Sequence, residues 1–442
     1  MAKAEVGKWH PKLARFRTNI EKRTNIRDVY STPSFEIPYI NSGSTVLNML
    51  IGGSRLANTG KFVCPGWPRG KIVEIFGRES SGKSTIAMTA MAHAIASNEG
   101  TGTGVYIDLE CAVQDTYAVK LGVDFRDPSQ GGSGQAIRLQ PQNAEDTETI
   151  VGAAVHQGVD LIVIDSVAAL IPRREQKRDA SNEEEKKGVA EVPRFMSAWL
   201  PKLTAMIAKT KTCVIFLNQT RDKIGAKGFS EEALKSTTGG NALKFYSSVR
   251  MLLKPRMSTK AKVWNPIIKK FEDVQISEDI EVKMIKDKLD AKKGHSGLIT
   301  IRYGVGIDEL RTMLNVAEAY DIVTKKKNAK KQDVFSFKSP STGHIVEATG
   351  LEKFRLAISR QEGGVLLQEM LSLATDRIMQ GFKMLDDEEL AALADDAVTK
   401  REDDDDDYEA GEPPEMVYED GTDEEDSSGD ESEPSAVTTI DV

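Results

Sequence analysis

The chain has 442 residues, of which 39% are hydrophobic and 29% charged. No run reaches the roughly 18 apolar residues of a spanning helix, which excludes a helical membrane protein. Residues 1–17 lack the apolar centre of a secretory signal. Cys64, Cys111 and Cys213 are far apart and the five histidines are scattered. Neither a disulfide framework nor a cysteine zinc site is therefore expected, and a reducing cytoplasm is the expected setting. The net charge of −9 points away from nucleic acid only until its distribution is read. Residues 386–442 hold 25 acidic side chains against Lys400 and Arg401, so residues 1–385 carry +14.

In chain order, residues 1–35 come first, and within them residues 1–28 carry a net charge of +5. Leu13, Phe16 and Ile20 recur there at helical spacing. The expectation is a basic helical arm that packs either on its own domain or on a neighbouring copy. Strand-like apolar runs follow at 71–77, 103–110, 160–166, 212–220, 247–253, 281–285 and 298–303. Helical patterns at 84–95, 146–157 and 195–208 separate the early runs. This alternation predicts an α/β fold with a mostly parallel sheet covered on both faces. The later runs have few helices between them, so antiparallel pairing is expected at one edge. Residues 36–308 are read as one core domain and 309–385 as a small α+β domain. Residues 386–442 are too acidic and too poor in apolar side chains to bury a core, so an acidic, mostly disordered tail is expected.

The run at 71–76 leads directly into Gly77-Arg78-Glu79-Ser80-Ser81-Gly82-Lys83-Ser84-Thr85, a GxxxxGK[ST] phosphate loop. Its glycines let backbone N–H groups turn toward phosphate oxygens, and the helix behind it adds its positive end. Lys83 is expected on the β- and γ-phosphates of ATP and the Ser84 hydroxyl on Mg²⁺. Leu161-Ile162-Val163-Ile164-Asp165 ends an apolar strand in a carboxylate, which would place Asp165 beside that metal. Glu110 follows another strand toward the same edge. It is the candidate general base, the alternative being a solvated carboxylate at a strand end.

Four segments occur in the order found in one family: GRESSGKST at 77–85, VIDSVAAL at 163–170, NQTRDKIG at 218–225 and TTGGNALKFY at 237–246. Across residues 36–385 the chain resembles the bacterial RecA-type recombinases. The resemblance implies a P-loop RecA-like ATPase core and DNA-stimulated ATP hydrolysis. It also implies helical filaments on single-stranded DNA, pairing with homologous duplex DNA and strand exchange. Loader or single-strand-binding proteins are implied as accessory partners. By the same resemblance Tyr117 stacks on adenine, and Gln219 senses the γ-phosphate and relays its state to a DNA-binding loop. Lys286 and Lys288 would reach the ATP of the adjacent subunit as a cationic clamp in trans; the residues alone would read as a solvated strand edge. Two loops would face DNA. The first runs over 173–193 and is followed by Arg194. The second runs over 221–241, with Arg221 and Lys223 at its start and Gly239, Gly240 and Asn241 at its end. Phe229 would either wedge between bases or pack beneath that loop.

The chain also departs from the family pattern. Gln114 stands where the family has an Asp near the adenine, and Cys111 where it has a histidine beside the general base. The second loop is about three residues longer and the first richer in charge. Pro201 occupies a position that is often basic, and the stretch 52–66 is long. These differences mark a divergent member, of the kind a phage would encode. A hexameric motor on the same core and an ATP-gated filament with little hydrolysis are the competing readings. TTGGNALKFY with the paired lysines opposes the first; Lys83, Glu110 and Asp165 together oppose the second.

Overall fold

The computed structural model describes residues 37–54, 62–176, 191–222, 235–237, 239–290, 293–360 and 364–381, with Arg15 and Lys22. The basic arm, apart from those two residues, and the acidic tail lie outside the described residues, as do Lys223 and Phe229. Strands β1 (Tyr39–Ile40) and β2 (Trp67–Pro68) pair antiparallel on either side of helix α1 (Thr45–Gly52). There follow β3 (Ile72–Gly77), α2 (Lys83–Gly100), β4 (Gly104–Asp108), α3 (Asp115–Lys120), β5 (Ala136–Leu139), α4 (Ala144–His156) and β6 (Leu161–Asp165). Next are α5 (Arg173–Gln176), α6 (Glu191–Thr210), β7 (Cys213–Asp222), β8 (Lys235–Thr237) and α7 (Gly240–Tyr246). The chain then runs through β9 (Val249–Asn265), β10 (Lys270–Asp287), β11 (Ser296–Arg302), β12 (Gly306–Ile307) and α8 (Glu309–Ala319). It ends in β13 (Val323–Lys327), β14 (Asp333–Lys338), β15 (Ile345–Thr349), α9 (Leu351–Arg360) and α10 (Val365–Gly381).

One large sheet has the order β12-β11-β10-β9-β3-β7-β6-β4-β5, with β8 attached to β7. From β9 to β5 every neighbouring pair is parallel, whereas β10, β11 and β12 add on antiparallel. The expected α/β architecture with an antiparallel edge is therefore present. The central strands are largely apolar because successive side chains go to opposite cores, with Glu74 of β3 a buried charged exception. Val73, Ile75, Tyr106, Leu161, Val163, Ile215 and Leu217 enter one cluster together with residues of α1 and α2. Ile72, Val105, Ile107, Ile162, Ile164, Val214 and Phe216 enter the other, with residues of α4, α6 and α7.

A second sheet, β13-β14-β15, is antiparallel. Its Phe335, Phe337 and Val346 share an apolar cluster with Met313, Phe354, Met370 and the large sheet's β10 and β11. Three strands differ from the expectation. The edge strand β5 has no counterpart among the expected runs, and the runs at 247–253 and 281–285 are only the bases of a much longer strand pair. Among the described residues no helix is long and apolar enough to cross a membrane.

Candidate active site

Parallel pairing aligns the carboxyl ends of the central strands, the edge at which open α/β sheets bind their ligands. Gly77 at the end of β3 pairs with Gln219 on β7, and Asp108 at the end of β4 with Asp165 on β6. Residues far apart in sequence thus meet along one edge.

The phosphate loop joins β3 to α2. A Cβ at Gly77 would lie 2.7 Å from the Leu253 carbonyl oxygen and 2.8 Å from Ser81 Oγ, so a larger residue cannot follow the same path. Gly82 is left-handed at φ +85° and caps α2. Lys83 is buried and its Nζ donates to the carbonyls of Arg78 at 2.6 Å and Gly77 at 3.4 Å. Burial lowers the lysine's pKa, partly opposed by Asp165, Glu110 and Glu79. Ser81 Oγ is buried without a hydrogen-bond partner. An orphaned hydroxyl and a desolvated ammonium in one glycine loop fit a polyanionic ligand such as the phosphates of ATP. Arg78, Glu79 and Ser80 are exposed at the loop's outer turn.

Asp165 accepts hydrogen bonds from Ser84 Oγ at 2.8 Å and from Tyr106 OH at 2.7 Å. Burial raises the pKa of this carboxyl, while those two donors pull it down. Tyr106, itself buried beside Asp165, is pushed well above the usual tyrosine range. The pair Ser84 and Asp165 suits Mg²⁺, which binds through few protein oxygens and completes its shell with water and phosphate.

Glu110 lies two residues beyond the end of β4. Its carboxylate accepts from Ser166 Oγ and, at 3.0 Å, from Gln219 Nε2. The expected general base and the expected γ-phosphate sensor are therefore in direct contact. Gln219 is on the strand that continues to Asp222, where the second loop begins.

The pocket at the phosphate loop has a volume of about 320 Å³. Ser80 to Thr85 and Tyr117 line one side, and Glu278, Ile280, Ile301, Tyr303 and Gly304 the other. Tyr117 OH lies 3.0 Å from Thr85 Oγ1, which fixes α3 against the loop. Tyr303 OH is held by Gln275 Nε2 at 2.8 Å. Gln114 precedes α3 as its N-cap residue and is exposed. A larger open groove of about 680 Å³ runs along α3. Its Asp115–Arg138 and Asp124–Arg126 pairs neutralise one another and it has no phosphate-loop backbone, so it is a poorer fit to a polyphosphate than the phosphate-loop pocket.

Lys286 Nζ donates to the carbonyls of Lys244 and, at 3.0 Å, Phe245, and Lys288 Nζ to Phe245 at 3.1 Å. Both ammonium groups thus sit at the carboxyl end of α7, where the helix dipole favours cations. They do not join the phosphate loop of the same protomer in the described hydrogen bonds. Burial, then Lys288 and Arg250, lowers the Lys286 pKa to about 8.

The ends of the two candidate DNA loops meet. Gly239 is left-handed at φ +90°, and a Cβ there would lie 3.1 Å from Val167 Cγ1. A Cβ on Gly240 would lie 3.0 Å from the Pro193 Cβ, adjacent to Arg194. Arg194 is exposed on the first turn of α6, and Asn241 on the first turn of α7. Arg221 is placed by its backbone alone, opposite Ser236 of β8.

Sequence reasoning missed Tyr106, Ser166, Glu278 and Tyr303. Ser166 stood within VIDSVAAL, and Tyr106 within a strand whose alternation placed it inside. No local pattern marks Glu278 or Tyr303, because their wall comes from strands remote in sequence.

A model of the RecA N-terminal domain matches residues 20–308. The chain is 36% identical over 291 residues to Protein RecA of Streptococcus agalactiae, covering 66% of this chain and 67% of that protein. It is 36% identical over 294 residues to Protein RecA of Thermus aquaticus, covering 66% and 75%. With Protein RecA of Streptococcus gordonii the match runs over 368 residues at 32% identity, covering 80% and 86%. The phosphate loop, the carboxylate edge and these similarities agree, and the chain belongs to the RecA family of recombinases.

Proposed function

We propose that the chain is an ATP-dependent recombinase that assembles on single-stranded DNA, pairs it with homologous duplex and exchanges strands. Hydrolysis of ATP is stimulated by DNA, and the reaction takes place in the cytoplasm. The observation that carries this reading is the contact between Glu110 and Gln219. It joins the group that would take a proton from water to the strand that leads into the second loop, so one hydrogen bond spans the hydrolytic and DNA-binding halves of the site.

The residues divide the work as follows. The loop from Gly77 to Thr85 cradles phosphate with backbone N–H groups, and Lys83 offsets its charge. Ser84 and Asp165 would hold Mg²⁺, which when bound supplies charge neutralisation between the phosphates. Glu110 orients the attacking water and accepts its proton. Tyr117 and Tyr303 enclose the base from two sides. Lys286 and Lys288 act on the nucleotide of a neighbouring subunit, a role supported by their placement away from their own phosphate loop. Arg194, Arg221, Lys223 and the Gly239-Gly240-Asn241 turn serve the DNA backbone, with charge and close backbone approach.

The test measures ATP hydrolysis with and without single-stranded DNA, and joint formation between that strand and homologous duplex. A rise in turnover with single strands together with joint formation is expected. Hydrolysis indifferent to DNA, or strand displacement from a fork without homologous joints, would overturn the reading.

A further inference from the structure

Strands β9 and β10 continue far past the sheet that anchors them. β9 pairs with β3 only through Leu253, and β10 pairs with β11 only from Ser277. Beyond those points the two strands pair only with each other, closing at a turn over 266–269. From Pro255 to Asn265 the strand takes ten steps, about 34 Å at the usual strand rise and close to one helical turn of duplex DNA.

This ribbon is exposed on both faces. Isolated two-stranded hairpins are marginal in water, yet its tip is apolar. Ile267 is 88% exposed, Phe271 66% and Trp264 50%. Trp264 and Phe271 form a cross-strand edge-to-face pair with ring centroids 5.2 Å apart, which stiffens the end of the ribbon. Pro266, Ile267 and Ile268 project beyond that pair in the turn. Behind the tip the ribbon is basic: residues 254–276 hold six lysines and arginines against Glu272 and Asp273. Strand alternation places Lys260 and Lys262 on the same face as Trp264, and Lys269 and Lys270 flank the tip.

An apolar, stiffened tip on a basic two-stranded stalk has the chemistry of a duplex wedge. Two-stranded ribbons fit DNA grooves, lysines meet phosphates, and apolar side chains of ribbon or arm tips enter base steps and unstack them. We propose that the β9–β10 ribbon is a duplex-DNA arm. Lys260, Lys262, Lys269 and Lys270 engage the phosphates, and Ile267 and Ile268, backed by Trp264 and Phe271, enter a base step. The inference rests on the recombinase reading and names the element that receives and loosens the duplex partner.

The test uses the full chain and two variants, Ile267→Ser with Ile268→Ser, and Lys260→Glu with Lys262→Glu. Binding is followed by anisotropy of labelled duplex and labelled single strand, with ATP hydrolysis on single strands measured alongside. A duplex carrying 2-aminopurine reports unstacking. The parent is expected to brighten 2-aminopurine on binding. The tip variant should bind duplex about 10-fold more weakly or bind without brightening, and the lysine variant should bind more weakly with a shallower salt dependence. Hydrolysis stimulated by single strands should persist in both. Parental duplex binding and brightening in the tip variant would overturn the proposal, as would a parent that binds no duplex. Loss of sedimenting assemblies in the tip variant without DNA would assign the tip to a neighbouring copy, and binding of the parent tip to anionic vesicles in place of duplex would assign it to lipid; either result overturns the arm. Single-strand stimulation of the parent decides the recombinase reading separately.

Discussion

Glu110 is held between Ser166 and Gln219, so its position does not depend on its charge alone. Replacing it by glutamine keeps the shape and most hydrogen-bonding capacity but removes the proton acceptor. Turnover of Glu110→Gln should fall at least about 100-fold, the usual worth of a positioned base. Equilibrium binding of an ATP analogue should stay within about 2-fold, since the phosphate loop is untouched. Single-turnover hydrolysis and nucleotide titration check both numbers. Lys286 can be tested through its charge. With its pKa lowered from 10.5 to about 8, the side chain is charged below that pH and neutral above it. A cationic clamp on a neighbour's phosphates is therefore present at low pH and weakens as pH rises through about 8. DNA-stimulated turnover should show an alkaline limb there, and Lys286→Arg should move that limb upward because guanidinium keeps its charge. Coincident pH–rate profiles would remove Lys286 from the reaction.

Elements differ in how plainly the sequence announced them, and burial explains the difference. β3, β4, β6 and the first part of β7 are buried on both faces, so they read as largely apolar runs that lead into Gly77, Asp108, Asp165 and Gln219. The phosphate loop is local in sequence and was fully legible. The outer halves of β9 and β10 have water on both sides, so neither an apolar run nor an alternation marks them, and Pro255 is a residue uncommon inside strands. β5 escaped because only four residues form it.

What the sequence could not show at all was pairing across strands. Glu74 on β3 is fully buried and accepts from Asn218 Nδ2 on β7 at 3.0 Å and from Arg250 Nε on β9. The Arg250 guanidinium lies over the Phe76 ring, 4.7 Å from its centroid. Glu74→Ala would leave that guanidinium buried and unpaired, at a cost of about 3–5 kcal/mol. Denaturant titration of Glu74→Ala against Glu74→Gln checks this, with glutamine expected to recover part of the loss. The turn that joins the second loop to α7 is a further test. Gly239→Ala must hold alanine at φ +90° against Val167, which costs about 1–2 kcal/mol and shifts the loop's end. Nucleotide binding should survive, while the extra turnover elicited by single strands should drop. Equal loss of basal and stimulated turnover would show the turn to be structural only.

Charge acts on the molecule as a whole. A net −9 is the sum of +14 over residues 1–385 and −23 over residues 386–442. A polyanion approaching the protein meets the field of both, and a tethered charge of −23 lowers the encounter rate that the basic part would otherwise support. The effect is long-ranged, so it is greatest at low salt and fades once the screening length falls below about 10 Å near 0.1 M. Truncation after Leu385 should therefore speed association with duplex DNA strongly at low ionic strength and only slightly at high. It should also lessen the dependence of binding on free Mg²⁺, which screens the acidic segment in the full chain. Stopped-flow association across a salt series, with and without Mg²⁺, measures each part. If truncated and full chains associate at the same rate at every salt concentration, the acidic segment takes no part in DNA capture. If they differ only at low salt, the segment restrains access to duplex through its field, and the contacts that bind DNA are left unchanged by its removal.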